Sequence, residues 1–94
     1  MHPNNDKFNY QVADTAQELI GEFIAERRKE LGYTQKQLAN KAGCQTHHLG
    51  NFEKGKQNIG FRLLIAILGC LDMHIELRPK DGDKPTGFPA VNKN

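Results

Sequence analysis

Gly43 is the residue that most restricts what this chain can fold into. It divides two short segments, "TQKQLANKA" (residues 34–42) and "CQTHHLGNFEK" (residues 44–54), each patterned for a helix of only two turns. On the first, Thr34 and Gln37 stand at the spacing of a capping box, and Leu38, Ala39 and Ala42 supply a narrow apolar face. On the second, Leu49 and Phe52 face inward and Gly55 ends the run. A glycine at the junction turns the chain where a side chain would resist positive φ. Small Ala39 lets the two helices approach closely. Helices this short are marginal alone, so the pair has to be held by flanking elements.

Those elements are legible on either side. Thr15 with Glu18 reads as a capping box, followed by an apolar stripe at Ala16, Leu19, Ile20, Phe23, Ile24 and Leu31 and a stop at Gly32. Downstream, Gly60 caps a last helix, with Ile59 and Leu64 spaced as a hydrophobic staple. Its core face is read as Phe61, Leu64, Ile65, Leu68 and Leu71, widened by Ile67. The period then changes. Met73-His74-Ile75-Glu76-Leu77-Arg78 alternates as a half-buried strand does, and a strand needs a partner. Two partners are open: residues 8–12, which also alternate, or the same strand of a second chain, which is favoured because residues 1–14 are otherwise polar. From Pro79 onward three prolines and two glycines in 16 residues read as a tail, with Phe88 and Val91 its bulky apolar residues. The expected organisation is an N-terminal arm over 1–14, a helical domain over 15–72, a dimerisation strand over 73–78 carrying Met73, Ile75 and Leu77, and a flexible tail over 79–94.

Charge narrows the function. The net charge is only +2, but it is unevenly placed. The first helical run carries Glu18, Glu22, Glu26 and Glu30, whereas residues 34–71 hold Lys36, Lys41, Lys54, Lys56 and Arg62 against Glu53 alone. That asymmetry suits an anionic partner. No apolar run is long enough for a bilayer, and no secretory signal opens the chain. Two cysteines are too few for a disulfide framework, which points to reduced thiols in a cytoplasm.

Cys44, His47 and His48 raise the question of a metal. Adjacent histidines point about 100° apart on a helix, and zinc wants three or four converging ligands. Cys44 is better explained as a small half-buried residue of the turn, and Cys70 as a core residue of the last helix. No metal and no cofactor is expected. No nucleophile–base pair, phosphate loop or carboxylate dyad is apparent, so an enzyme is not expected either.

Two short helices joined by a glycine turn make a helix-turn-helix, whose second helix enters the DNA major groove. Through "TQKQLANKAG", "NFEKGKQN" and the apolar helix after them, roughly Ile20 to Met73, the chain resembles the Cro/lambda-repressor-like (XRE-type) helix-turn-helix regulators. The resemblance implies a mainly α fold, a lambda-repressor-like bundle of four to five short helices that binds double-stranded operator DNA as a homodimer. "LDMHIELRPK" looks like the strand that a subset of antitoxins adds and pairs across the dimer.

By position, the resemblance implies that Thr46, His47 and Asn51 read bases. Thr34, Gln35, Lys54, Lys56 and Asn58 would meet phosphates, and Arg28 and Glu53 would form a buried ion pair; beside these, Lys36 is read as a phosphate contact and His48 as solvent-facing or phosphate-facing. Chemistry agrees with the first set: Asn51 can pair with adenine N6/N7, and Thr46 can offer its hydroxyl or its methyl. Two departures stand out. Gln45 occupies the cap of the second helix, where Ser or Thr is usual, so Thr46 becomes a rival cap that would start the helix one residue later. Ile59 stands where proline is common. The leading expectation is therefore a sequence-specific transcriptional regulator. The alternative is an antitoxin that neutralises a protein toxin and uses DNA binding to regulate its own operon.

Overall fold

The computed structural model describes residues 10–79 and 86–87. Its first helix, α1 (Tyr10–Glu30), starts five residues before the expected cap at Thr15. Thr15 does not cap. Its hydroxyl donates to the Gln11 carbonyl at 3.1 Å, one turn back within the helix, an alternative use of the same side chain. Residues 10–14 of the expected arm are thus helical, and residues 10–12 are excluded as strand partners. Residues 1–9 lie outside the described set.

Three further helices follow, α2 (Gln35–Ala42), α3 (Thr46–Glu53) and α4 (Phe61–Cys70). The Thr34 capping box is complete: Thr34 Oγ1 accepts from the Gln37 backbone N–H at 3.0 Å, and Gln37 Oε1 accepts from the Thr34 N–H at 2.9 Å. At the other end of α2, Gly43 is left-handed with φ 86°, and its N–H donates to the Ala39 carbonyl. α1 packs on α3, while α2 packs on both α3 and α4. The shared core is Ile24, Leu38, Ala39, Leu49, Phe52, Ile67, Leu68 and Leu71.

Two expected core faces are corrected. Of the α1 stripe only Ile24 is buried, and Leu19, Ile20, Phe23 and Leu31 are exposed. On α4, Phe61 and Ile65 are exposed, while Ile67, Leu68 and Leu71 fill the core. Both helices carry more apolar surface than one small core can cover, and periodicity cannot tell which side of a wide stripe turns inward. The close approach of α1 to α3 is set instead by Gly21: a Cβ there would lie 2.4 Å from the Phe52 carbonyl oxygen.

The strand is shorter than expected and differently partnered. β1 is Glu76–Leu77 and pairs antiparallel with β2, Thr86–Gly87 of the same chain, with Glu76 opposite Gly87 and Leu77 opposite Thr86. This pairing occupies one edge of β1 with a segment that was not among the expected partners. Thr86–Gly87 carries no alternating pattern that would have marked it as a strand. Met73 and Ile75 precede β1 and pack on the helical core, whereas Leu77 is exposed. The remainder of the expected tail, residues 80–85 and 88–94 with Phe88 and Val91, lies outside the described residues.

Candidate nucleic-acid interface

Position and support of α3 come from three directions. Leu49 and Phe52 are buried beneath it. Its last residue, Glu53, is only 7% exposed, as is Arg28 at 8%. The Arg28 guanidinium donates through Nε to Glu53 Oε2 at 2.8 Å and through Nη2 to Oε1 at 3.0 Å, and its Nη1 donates to the Tyr33 carbonyl at 2.9 Å. The two-pronged geometry orients both partners as well as joining them. Gln17 adds a tie from α1, donating from Nε2 to the Gly55 carbonyl at 3.2 Å. Among the described residues, no buried side-chain nitrogen or oxygen lacks a hydrogen-bond partner.

In front of this support lies an open polar recess, lined by Gln35, Thr46, His47, Gly50, Asn51 and Lys54. Thr46, His47 and Lys54 are exposed and Asn51 is half-buried. Gln35 lies against Gly50, where a Cβ would stand 3.4 Å from the Gln35 amide, in van der Waals contact. Gln45 holds the N-cap position without a side-chain cap, so α3 starts at Thr46, whose side chain is not spent on capping. This settles the rivalry between Gln45 and Thr46. The first-turn N–H groups of α3 have no side-chain acceptor from Gln45, which suits an electron-rich partner.

The expected residues do not all play equal parts in this geometry. Lys36, Lys56 and Asn58 are exposed but do not line the recess, and Thr34 is exposed at the N-cap of α2. His48 turns aside: its Nε2 lies 3.3 Å from the Asn58 carbonyl, tying α3 to the following loop. Two relationships escaped the sequence. Asn51 Nδ2 donates to Gln57 Oε1 at 3.3 Å, and Gln35 Nε2 donates to Glu53 Oε1 at 2.9 Å. A polar residue one turn past a helix end, such as Gln57, carries no pattern that would have singled it out. Cys44 is half-buried at the turn, and burial pushes its thiol pKa up. Among the described residues, no three His, Cys, Asp or Glu side chains gather as metal ligands would.

A bundle in which a glycine turn sets one capped helix behind an exposed, polar second helix is a helix-turn-helix domain. The chain belongs to the helix-turn-helix family, of the XRE type, whose model matches residues 24–77. It is 36% identical over 66 residues to the HTH-type transcriptional regulator SinR of Bacillus licheniformis, an alignment covering 67% of this chain and 60% of that protein. The chain thus spans less than two thirds of that relative's length. Among solved structures it is similar to the restriction-modification controller protein C.AhdI of Aeromonas hydrophila, with a TM-score of 0.60 and 24% identity, over 63% of this chain and 89% of that one. At that identity the likeness concerns the fold. No described helix is long and apolar enough to cross a membrane.

Proposed function

We propose that this protein is a sequence-specific DNA-binding transcriptional regulator of the cytoplasm that binds operator DNA as a homodimer. The observation that carries the reading is the recess on α3, open in front and braced behind by the Arg28–Glu53 pair. In this reading Thr46, His47 and Asn51 contact base edges. The N-terminal end of α2 with Thr34, Gln35 and Lys36, and the loop with Lys54, Lys56 and Asn58, meet phosphates on either side. His48 holds that loop to α3 and thereby positions the phosphate contacts. A homodimer would set two such helices about 34 Å apart, one turn of duplex. Leu77 is the member of the Met73, Ile75, Leu77 alternation left exposed for such an assembly. The proposal assigns no catalytic step.

Selection from random duplexes at two salt concentrations tests it. The expected result is a palindrome with half-sites about 10 base pairs apart. Asn51→Ala is expected to relax one position at a cost of about 1–3 kcal/mol, and Lys54→Ala to weaken all sequences alike and lower the salt slope by about one. Sequence-blind binding, or none, would overturn the reading. An antitoxin would use the same surface and additionally copurify with a protein toxin as a stable complex.

A further inference from the structure

Of the three residues proposed to contact bases, Asn51 is held by another side chain: its Nδ2 donates to Gln57 Oε1 at 3.3 Å. An amide carries two N–H donors and one acceptor oxygen, so with one N–H spent on Gln57 the second N–H and Oδ1 are left for a partner. One donor beside one acceptor is what adenine answers with N7 and N6. Guanine presents two acceptors, N7 and O6, which an amide with both N–H groups free can meet by donating twice; the bond to Gln57 removes that option. We propose that Gln57, which does not itself line the recess, is a positioning residue for sequence recognition and sets Asn51 to prefer adenine over guanine. The inference rests on DNA reading by α3 in the proposed function and adds the residue that decides one base of the operator.

The loop that carries Gln57 is fastened to α3 on both sides of it. Lys56 N–H donates to the Asn51 carbonyl at 2.9 Å, and Gly55 N–H to that of Phe52 at 3.0 Å. On the other side, His48 Nε2 lies 3.3 Å from the Asn58 carbonyl. Residues 55–58 thus run back along α3 from Phe52 towards His48, with Gln57 beside Asn51. Gln17 on α1 holds the start of this run through the Gly55 carbonyl. The backbone that presents the Gln57 amide is therefore tied to two helices, and the amide meets Asn51 from a fixed point.

Exposure decides when this bond matters. Gln57 is exposed and Asn51 half-buried, so in the free protein water competes for the same amide and the net gain is small. A duplex lying in the recess excludes that water; the bond then strengthens, and leaving it unmade becomes costly. Gln57 accordingly acts on discrimination between bases in the complex and contributes little to the stability of the fold.

The probes are duplexes that the unsubstituted full chain selects from a random pool, with each base pair then changed in turn. Gln57→Leu is expected to cut the preference for adenine over guanine by about tenfold at the base pair that Asn51→Ala relaxes, and to leave the other positions and the urea midpoint unchanged. Because Gln57 acts through Asn51, the double variant should discriminate no worse there than Asn51→Ala alone. The carboxylate of Gln57→Glu only accepts, so this variant should retain the preference while its charge weakens all sequences alike. Lys56→Ala, on the same loop, should weaken all sequences without changing the preference. An unchanged preference in Gln57→Leu, a second base pair relaxed by it, or a base other than adenine at the Asn51 position would overturn the inference and leave DNA reading by α3 standing. No sequence preference in the unsubstituted chain would overturn the proposed function, and the inference with it.

Discussion

The Arg28–Glu53 pair offers the sharpest test of how α3 is held. Their side chains are 9% and 5% exposed, so solvent screens little of the interaction. Arg28→Met keeps much of the aliphatic bulk and removes three donors, two serving Glu53 and one serving the Tyr33 carbonyl. What remains is a buried carboxylate with Gln35 as its one side-chain donor among the described residues. Stripping one partner from a buried pair costs about 3–5 kcal/mol, because the other charge stays desolvated. Against a total stability of about 5–15 kcal/mol for domains in general, that is enough to leave Arg28→Met close to unfolding. Removing both charges with Arg28→Met/Glu53→Leu leaves no unpaired buried charge, only the neutral Tyr33 carbonyl and Gln35 amide without these partners, so the double variant is expected to be more stable than Arg28→Met alone. Urea unfolding followed by circular dichroism measures the unsubstituted protein, Arg28→Met, Glu53→Leu and the double variant. A loss below about 1 kcal/mol for Arg28→Met is what an exposed pair would give, and it would refute the reasoning. So would a double variant whose loss equals the sum of both singles.

Two further expectations follow from the same geometry. Gly21→Ala places a Cβ 2.4 Å from the Phe52 carbonyl oxygen and 2.9 Å from that of Glu53. Neither backbone atom can step aside, so a loss of about 2–3 kcal/mol in urea unfolding is expected, overpacking exceeding the gain of about 1 kcal/mol in helix propensity; a stabilised variant would contradict the close approach of α1 and α3. Burial raises the Cys44 thiol pKa, so less thiolate is present at mildly alkaline pH. In a Cys70→Ala background, Cys44 should react with a disulfide reagent more slowly than a cysteine in a short peptide, a difference that urea should abolish and that faster native reaction would refute.

The parts of the fold legible in the sequence are those fixed by local chemistry. The Thr34–Gln37 box, the left-handed Gly43 and the inward Leu49 and Phe52 each follow from a few neighbouring residues, and each is found where the pattern puts it. Where the local pattern and the structure differ, a longer-range competition decides the outcome. Thr15 and Glu18 match a helix start, yet the hydroxyl serves equally well inside a helix that begins at Tyr10. Leu19 and Phe23 match a core face, but Gly21 brings the opposite side of α1 against α3. The partner of β1 lies in a glycine- and proline-rich stretch whose composition hides a two-residue ladder. The recess was legible in its residue types but not in its connections.

One of those connections changes how the recess and the core depend on each other. The Glu53 carboxylate only accepts hydrogen bonds, so the Gln35 amide must present nitrogen to it. Its oxygen is thereby turned away from Glu53, and one N–H is left over. Gln35 thus reaches the recess as a side chain whose orientation is set by a buried charge, and that charge is in turn oriented by Arg28. The helix that faces outward, the first residue of the helix behind it and the ion pair in the core are therefore one hydrogen-bonded unit. A substitution at Arg28, which does not itself line the recess, acts on the presentation of Gln35 as well as on stability. Even a variant that stays folded is expected to lose the fixed amide orientation on which a well-defined contact at this position depends.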